Sequence, residues 1–254
     1  MIPQKDSNPL NGVTTYDLVL ISQHILGLSD LSSPYKLIAA DVNADGQITT
    51  FDIVQLRQLI LYTIVDFPSN TSWRFVDAAY QFPDPTDPWS QAFPEQYEII
   101  NMNQDMVIDF IAVKVGDMNC SAVTSNAAPS IVQNRLSPNE LVLEDKALMA
   151  GETHNLVFKF NEQQTLNALQ FSIGYDADKM EVVSTKAQHA SINASNFGLN
   201  LTEEGVITFA WAQPSAEAIE GIFELQITAK QDLQLSEILD INSRYTQALS
   251  LIHI

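Results

Sequence analysis

Residues 41–52 constrain this chain more than any other stretch, because oxygen-bearing side chains recur there at a fixed spacing. The segment reads Asp-Val-Asn-Ala-Asp-Gly-Gln-Ile-Thr-Thr-Phe-Asp, with oxygens at positions 1, 3 and 5, glycine at position 6 and a carboxylate at position 12. A calcium ion suits this arrangement, since it collects about six to eight oxygen ligands around a sharp glycine turn. We therefore predict a calcium loop. Its ligands are Asp41, Asn43, Asp45, the backbone carbonyl of Gln47, Thr49 and Asp52.

An ordinary surface turn is the alternative interpretation of this segment. A turn rich in Asp and Asn ahead of a helix requires only Gly46 and one capping side chain. Because that interpretation leaves the regular spacing of the oxygens unexplained, calcium binding is preferred.

The loop belongs to an internal duplication. Residues 13–28 recur as residues 48–63, at an offset of 35. Seven pairs are identical: Thr14/Thr49, Thr15/Thr50, Asp17/Asp52, Val19/Val54, Gln23/Gln58, Ile25/Ile60 and Leu26/Leu61. Apolar residues have helical spacing in both copies, so we expect two helices that bury one face against each other. A short helix is predicted between the copies, where Ser33 is a suitable cap and Pro34 a suitable first residue.

A duplicated loop and helix, with aspartate at loop position 12 and a short helix between the copies, resembles the type I dockerin domain over about residues 6–64. Dockerins resemble paired half EF-hands. The resemblance implies one calcium ion per repeat and docking onto a cohesin domain, which attaches secreted enzymes and scaffold proteins to polysaccharide-degrading complexes. It also implies partner contacts at loop positions 10 and 11. These positions hold Thr15 and Tyr16 in the first copy and Thr50 and Phe51 in the second.

The first repeat departs from the dockerin pattern in its loop. Counting back from Asp17 places Asp6 at position 1, Asn8 at position 3 and Asn11 at position 6, whereas Leu10 at position 5 has no side-chain oxygen. We predict either a weaker first calcium site, made by Asp6, Asn8, Asn11 and Asp17, or a repeat that keeps its helix without the ion.

The partner positions carry an aromatic residue in each copy, Tyr16 and Phe51. The neighbouring threonines fit ordinary cohesin-binding pairs, but the aromatic residues do not. Two large apolar side chains are either covered by the chain's own extension or form an aromatic docking patch. We expect coverage by the extension, because the segment that follows is rich in apolar side chains.

Residues 67–119 are predicted to extend the dockerin-like module of residues 1–66. They contain Trp73, Phe75, Tyr80, Phe82, Trp89, Phe93 and Tyr97, which is too aromatic for a disordered linker. The stretches at residues 72–78 and 109–119 resemble those that follow dockerin-like repeats in large secreted proteins of Bacteroidetes-type bacteria. We predict an irregular extension packed on the helices, followed by a small and polar linker at residues 120–134.

From residue 135 the apolar pattern changes from helical to alternating. Strands are predicted at residues 154–160, 168–175, 205–211 and 221–229. Many short strands with turn residues between them indicate a β-sandwich. The strand order is similar to that of cohesin-like sandwiches, which share an architecture with some carbohydrate-binding modules. The predicted fold class is therefore multidomain: a mainly α dockerin-like EF-hand duplication with an irregular aromatic extension, then an all-β cohesin-like jelly-roll sandwich at residues 135–254.

The last six residues, Leu-Ser-Leu-Ile-His-Ile, match the translation of a transposase adapter used in DNA sequencing (CTG TCT CTT ATA CAC ATC). Our hypothesis is that residues 249–254 are an assembly artefact and that the natural sequence ends near Ala248. On that hypothesis the last strand of the sandwich is missing, and its neighbour is left as an unpaired edge.

The composition argues against several classes of function. A net charge of −19 makes nucleic acid and anionic membranes poor partners. The single cysteine, Cys120, permits no internal disulfide. No apolar run approaches the roughly 20 residues of a membrane span, and the N-terminus lacks the pattern of a signal peptide. Paired-histidine metal spacing, a nucleophile elbow and a phosphate loop do not occur in the sequence, so we expect no catalytic site.

These features predict a non-catalytic, secreted, calcium-binding scaffold module of the cohesin–dockerin type. It would belong to a polysaccharide-degrading or cell-surface protein and act outside the cell or at its surface. The expected partner is a protein of cohesin or dockerin type, or a polysaccharide. One alternative is a carbohydrate-binding module with Trp211 and Tyr175 as sugar contacts. Another is a fragment of a secreted glycoside hydrolase or adhesin.

Overall fold

The computed structural model describes residues 1–99, 105–124, 141–246 and 248–252. The chain divides into two compact units. One comprises residues 1–59 and 64–127, and the other comprises residues 60–63 and 128–254. Most of the predicted linker therefore lies outside the described residues. Within the described ranges, no helix has the length and apolar character needed to cross a membrane.

The first unit contains three helices, α1 (Thr15–Ile25), α2 (Pro34–Ala40) and α3 (Thr50–Ile60). Thr14 caps α1 and shares a capping box with Asp17. Ser33 caps α2, whose first residue is Pro34 as predicted. The apolar faces of the two repeats are buried, including Leu18 and Leu56 at 0% exposure. The helical periodicity of the duplication thus supplies the core of this unit.

A two-stranded antiparallel ribbon completes the unit. It pairs β1 (Trp73–Asp77) with β2 (Phe110–Lys114). After β2 the chain turns at Gly116, whose backbone N–H donates to the carbonyl oxygen of Ala39 at 2.8 Å. Gly116 has φ +83°, and a Cβ at this position would lie 2.6 Å from Leu56 Cδ1. Only glycine allows the backbone to come this close to the helices, and the turn places residues 117–122 beside them.

The second unit is built on a seven-stranded antiparallel sheet. Its strands are β3 (Leu141–Val142), β5 (Thr153–Tyr175), β6 (Met180–Ala187), β7 (Phe197–Gly198), β8 (Val206–Ala229), β10 (Leu239–Asn242) and β11 (Leu249–Ile252). The path is β10-β5-β8-β6, with β3 and β11 also pairing with β5 and β7 with β8. A separate pair joins β4 (Ala147–Leu148) to β9 (Leu233–Gln234). The architecture confirms the predicted fold class, a helical region followed by an antiparallel β-sandwich.

The two central strands are longer than the sequence pattern predicted. β5 joins the predicted strands at residues 154–160 and 168–175, and β8 joins those at residues 205–211 and 221–229. Register shifts after Phe158, Lys159 and Leu166 interrupt the β5–β8 ladder without ending it. Such bulges bend and twist paired strands. Alternation of apolar residues breaks at a bulge, which is why the pattern showed four short strands.

An aromatic cluster fills the core of the sandwich. The rings of Phe158 and Phe223 stack with centroids 4.6 Å apart, and Phe171 and Phe209 are 5.3 Å apart. All four side chains are at most 1% exposed. Such packing contributes both burial of apolar area and favourable ring contacts.

Residues 249–252 pair with the central strand β5, which contradicts the expectation that the last strand is missing. Leu249 lies opposite Gln170, and a register shift precedes Ile252. Strand pairing is made by backbone N–H and C=O groups, so it does not depend on the origin of these residues. The hypothesis of an adapter-derived tail stays a prediction, and residues 253 and 254 lie outside the described residues.

Candidate metal centre

The segment from Asp41 to Asp52 forms a compact loop between α2 and α3. The carboxylate of Asp41 is fully buried and accepts hydrogen bonds from the backbone N–H groups of Asp45 and Gly46, both at 3.0 Å. Ala44 and Gly46 have φ values of +59° and +82°. The left-handed turn therefore wraps the backbone around the first predicted ligand.

Asp52 joins the two ends of the loop. One carboxylate oxygen accepts from the backbone N–H groups of Val42 at 2.8 Å and Asn43 at 3.2 Å. The other accepts from the backbone N–H of Thr49 at 2.8 Å and its hydroxyl at 3.3 Å, at the start of α3. Asp52 is fully buried, so its position is fixed from both sides.

The remaining predicted ligands also lie in this loop. Asn43 Oδ1 accepts from the backbone N–H of Asp45 at 3.1 Å, and Asn43 Nδ2 donates to Asp45 Oδ2 at 2.7 Å. The backbone N–H of Gln47 donates to Asp45 Oδ1 at 2.9 Å. Hydrogen bonds thus link all six residues predicted from the spacing within one loop.

The electrostatics of the loop favour a cation. Burial raises the pKa of Asp41, and repulsion from the carboxylates of Asp52 and Asp45 also raises it. Hydrogen bonds from the backbone N–H groups of Gly46 and Asp45 lower the pKa, but they do not cancel the rise. A divalent cation among these carboxylates would relieve the repulsion. The donor set of carboxylates, an amide oxygen, a hydroxyl and a backbone carbonyl consists of oxygens, which fits Ca²⁺.

A closed metal cage is not present in the described part of the chain, where no three acidic, histidine or cysteine side chains converge on a common centre. The carboxylate oxygens instead accept hydrogen bonds from backbone N–H groups. These hydrogen bonds occupy some of the lone pairs of the carboxylate oxygens that a metal ion would use. The loop ligands accordingly stay a prediction.

The residues predicted for the first loop are not gathered in the same way. Asp6 accepts from the backbone N–H of Ser72 at 2.8 Å, and Asn8 lies in a turn with φ +52°. The side chain of Asn11 pairs with the backbone of Val123, accepting at 3.0 Å and donating at 2.8 Å. None of the hydrogen bonds in the described residues joins Asp6 or Asn8 to Asp17.

The fully buried Asp17 instead contacts the end of the extension, which the sequence did not connect with the first repeat. Its Oδ1 accepts from the backbone N–H groups of Met118 at 2.9 Å and Asn119 at 3.3 Å. Residues 117–121 read Asp-Met-Asn-Cys-Ser, which places oxygens at alternate positions as residues 41–45 do. That alternation was the available signal, but it stands about a hundred residues from the repeat that it meets.

The predicted partner positions differ in accessibility. Thr50 and Phe51 are exposed on the first turn of α3, with Phe51 at 55% and Val54 at 45% on the same face. The expectation that the extension covers Phe51 is therefore wrong. Thr15 is fully buried, which contradicts its prediction as a partner contact, and Tyr16 is half-buried. The copies differ because each helix packs against different neighbours.

The predicted sugar contacts are tied into the sandwich. Trp211 is 0% exposed, and its indole N–H donates to Ser191 Oγ at 3.1 Å, which contradicts its prediction as a sugar platform. Tyr175 is half-buried, and its hydroxyl donates to the carbonyl oxygen of Thr202 at 2.7 Å. Residues 206–211 of β8 are buried on both faces of the strand, so Trp211 lies in the core whichever face it occupies. Tyr175 stays a prediction.

Comparison with known families assigns both parts of the chain. Residues 5–61 match the Dockerin type I domain, and residues 140–246 match the Cohesin domain. The chain carries a type I dockerin domain followed by a cohesin domain. This finding confirms the resemblances drawn from the duplication and from the strand order. Neither match covers residues 67–119, so the likeness of that extension to Bacteroidetes-type proteins stays a prediction.

Solved structures similar to this chain include cohesins, at low identity. The second type II cohesin module from the adaptor ScaA scaffoldin of Acetivibrio cellulolyticus is 12% identical, with a TM-score of 0.34; the alignment covers 44% of this chain and 74% of that one. The CaCohA2 structure from Clostridium acetobutylicum is 14% identical, with a TM-score of 0.29 and coverage of 45% and 89%. The family assignment depends on the domain matches alone. Comparison with curated proteins gives no significant match.

Proposed function

We propose that this chain is a calcium-dependent docking module that acts outside the cell or at its surface, within a polysaccharide-degrading or cell-surface assembly. Dockerin and cohesin domains are non-catalytic assembly modules that bind each other, and the chain has one of each. The observation that supports the calcium proposal is the loop at residues 41–52, where six oxygen-bearing residues at calcium-loop spacing are linked by hydrogen bonds. When bound, Ca²⁺ supplies the positive charge that offsets the loop carboxylates.

The chain's own residues position the docking surface. Asp52 links the calcium loop to the first turn of α3 through Thr49. Phe51 and Val54 stand on the exposed side of that helix, three residues apart and therefore on one face. Exposed apolar side chains grouped in this way are characteristic of interaction surfaces. Order in the loop would thus be transmitted directly to the residues that contact a partner.

We propose a cohesin-type sandwich as the occupant of this surface, and a second copy of the chain supplies one. Because the dockerin of one copy would meet the cohesin of another, the contact is heterologous, and it produces closed rings or open chains of copies according to whether the rotation between copies closes. The test is sedimentation velocity of the full chain over a range of concentrations, with excess CaCl₂ or with EDTA.

Association is expected in calcium and not in EDTA, and Phe51→Asp should abolish it. The matched control is Val65→Asp, because Val65 is an exposed apolar residue outside α3. A monomer under every condition would overturn docking between copies. Equal association in EDTA, or equal loss with Val65→Asp, would contradict calcium-dependent docking through α3.

A further inference from the structure

A second segment of the chain repeats the first half of the calcium loop. Residues 117–122 read Asp-Met-Asn-Cys-Ser-Ala, and residues 41–46 read Asp-Val-Asn-Ala-Asp-Gly. Both segments place a side-chain oxygen at positions 1, 3 and 5. Residues 117–122 lie outside the matched dockerin region of residues 5–61.

The two segments also have the same backbone geometry. Asp117 accepts from the backbone N–H groups of Ser121 at 3.0 Å and Ala122 at 2.8 Å, as Asp41 does from the residues four and five positions later. Asn119 accepts from the N–H of Ser121 at 2.9 Å, as Asn43 does two residues on at 3.1 Å. Position 4 is left-handed in both, with φ +60° at Cys120 and +59° in the other loop.

Asp17 stands to the second segment as Asp52 stands to the first. Its Oδ1 accepts from the N–H groups of positions 2 and 3 at 2.9 and 3.3 Å, against 2.8 and 3.2 Å for Asp52. Its Oδ2 accepts from the N–H of Thr14 at 2.9 Å, against 2.8 Å from Thr49 to Asp52. Asp17 and Asp52 also correspond in the duplication.

The duplication supplies the second half of the loop as well. At the offset of 35 residues, Gly12 corresponds to Gln47, whose carbonyl is the predicted ligand at position 7. Ser121 Oγ donates to the carbonyl oxygen of Gly12 at 3.0 Å, so positions 5 and 7 are adjacent. A Cβ on Gly12 would lie 2.8 Å from Asp117 Oδ2 and 2.6 Å from the backbone N of Ala122. The two halves therefore meet without room for any side chain at position 7.

We propose that these two halves form a second calcium site, a twelve-position loop divided between residues 117–122 and residues 12–17. The ligands would be Asp117, Asn119, Ser121, the carbonyl of Gly12, Thr14 and Asp17. The proposal rests on calcium binding at the loop of residues 41–52. It assigns the first site to the end of the extension and replaces Asp6, Asn8 and Asn11 as its ligands.

The charges around this site accommodate a cation. We expect it to bind calcium more weakly than the loop of residues 41–52, which is called the intact loop below. Asp17 and Asp117 are both buried, and their carboxylates lie close enough to repel each other. The divided loop has two carboxylates, whereas residues 41–52 supply three. The buried Lys114 is close enough to interact with Asp17 and Asp117, and its Nζ donates to the carbonyl oxygens of Pro9 at 2.6 Å and Val115 at 2.8 Å. Neutralisation of the aspartates by Lys114 is the competing arrangement.

The test is the calcium content and affinity of the full chain, measured by elemental analysis and by calorimetric titration with CaCl₂. The wild type is expected to bind two ions. Asp45→Ala removes an exposed ligand of the intact loop and should leave one ion, as should Asp117→Ala at the divided loop. Asp6→Ala is the matched control, because it removes a carboxylate from the alternative first loop, and it should leave two.

Each outcome separates the two proposals. Two ions in Asp117→Ala, or loss of an ion in Asp6→Ala, would overturn the divided site. One ion in the wild type, lost in Asp45→Ala, would also overturn it, with Lys114 as the counter-charge, and would leave the intact loop standing. If the wild type binds no calcium ion, both the intact loop and the divided loop are refuted as calcium sites. Asn119→Ala keeps both carboxylates if Asp117→Ala does not fold, and it should weaken the second binding event at least about tenfold, equivalent to about 1.4 kcal/mol.

Discussion

Calcium removal should selectively destabilise the unit that contains the helices. An ion that binds only the folded chain, at a free concentration a hundred times its dissociation constant, adds about 2.7 kcal/mol to the free energy of unfolding. For a unit of this size, 1 kcal/mol corresponds to a shift in melting temperature of about 4 °C. Loss of the ion at residues 41–52 is therefore expected to lower the midpoint by about 10 °C.

The sandwich supplies an internal control for this measurement. None of the predicted calcium ligands lies in residues 141–246, so unfolding of the cohesin domain should be insensitive to EDTA. Trp211 reports on the sandwich, whereas Trp73 and Trp89 belong to the first unit. Thermal melts followed by tryptophan fluorescence in Trp211→Phe, and separately in the Trp73→Phe/Trp89→Phe double variant, distinguish the two transitions.

The assay compares melts in excess CaCl₂, in EDTA and in MgCl₂ at equal ionic strength. The fluorescence of Trp73 and Trp89 should show the loss in EDTA, and Asp45→Ala in calcium should reproduce part of it. Superimposable melts with and without EDTA would refute a structural role for calcium. A shift of the same size in the Trp211 signal would refute the assignment of the ion to the helical unit.

Three further predictions follow from particular contacts. Gly116→Ala should lower the free energy of unfolding of the first unit by about 1–3 kcal/mol in chemical denaturation, because the new Cβ meets Leu56 and the backbone has a positive φ; a neutral effect would contradict the close approach. In EDTA, stability of this unit should fall as the pH rises from about 4 to about 7, because the raised pKa of Asp17 means that the folded chain holds a proton that the unfolded chain has released. Denaturant midpoints across that range measure this, and a rising stability would refute it. Trp211→Ala should destabilise the sandwich by about 3–5 kcal/mol, because the side chain is fully buried; an unchanged melt would contradict its place in the core.

Local features of the sequence predicted much of this chain. The ligands of the intact loop lie within twelve consecutive residues, and turn chemistry alone brings Asp41, Asn43 and Asp45 around Gly46. Helical and alternating periodicities distinguished the two kinds of domain, since each reflects which face of a single element is buried. The resemblances to dockerin and cohesin domains could be drawn from the sequence because they depend on local patterns, the duplicated loop and helix and the order of the strands.

Accessibility depended on packing between elements. The duplicated threonines Thr15 and Thr50 are identical in sequence position, yet one is fully buried and the other exposed. The side chain of Trp211 is of a type that often contacts sugars, but in the structure it lies in the core. Periodicity assigns a residue to a face of its element, but neighbouring elements decide whether that face reaches solvent.

The sequence by itself determined the duplication, the intact oxygen spacing of residues 41–52 and the change from helices to strands. Only the tertiary structure brought Asp117 and Asn119 to Asp17, through the β1–β2 ribbon and the close turn at Gly116. The physical reason is that the two halves of a divided loop have no fixed spacing in the sequence. About a hundred residues separate them, and only the folding of the chain between them brings them together.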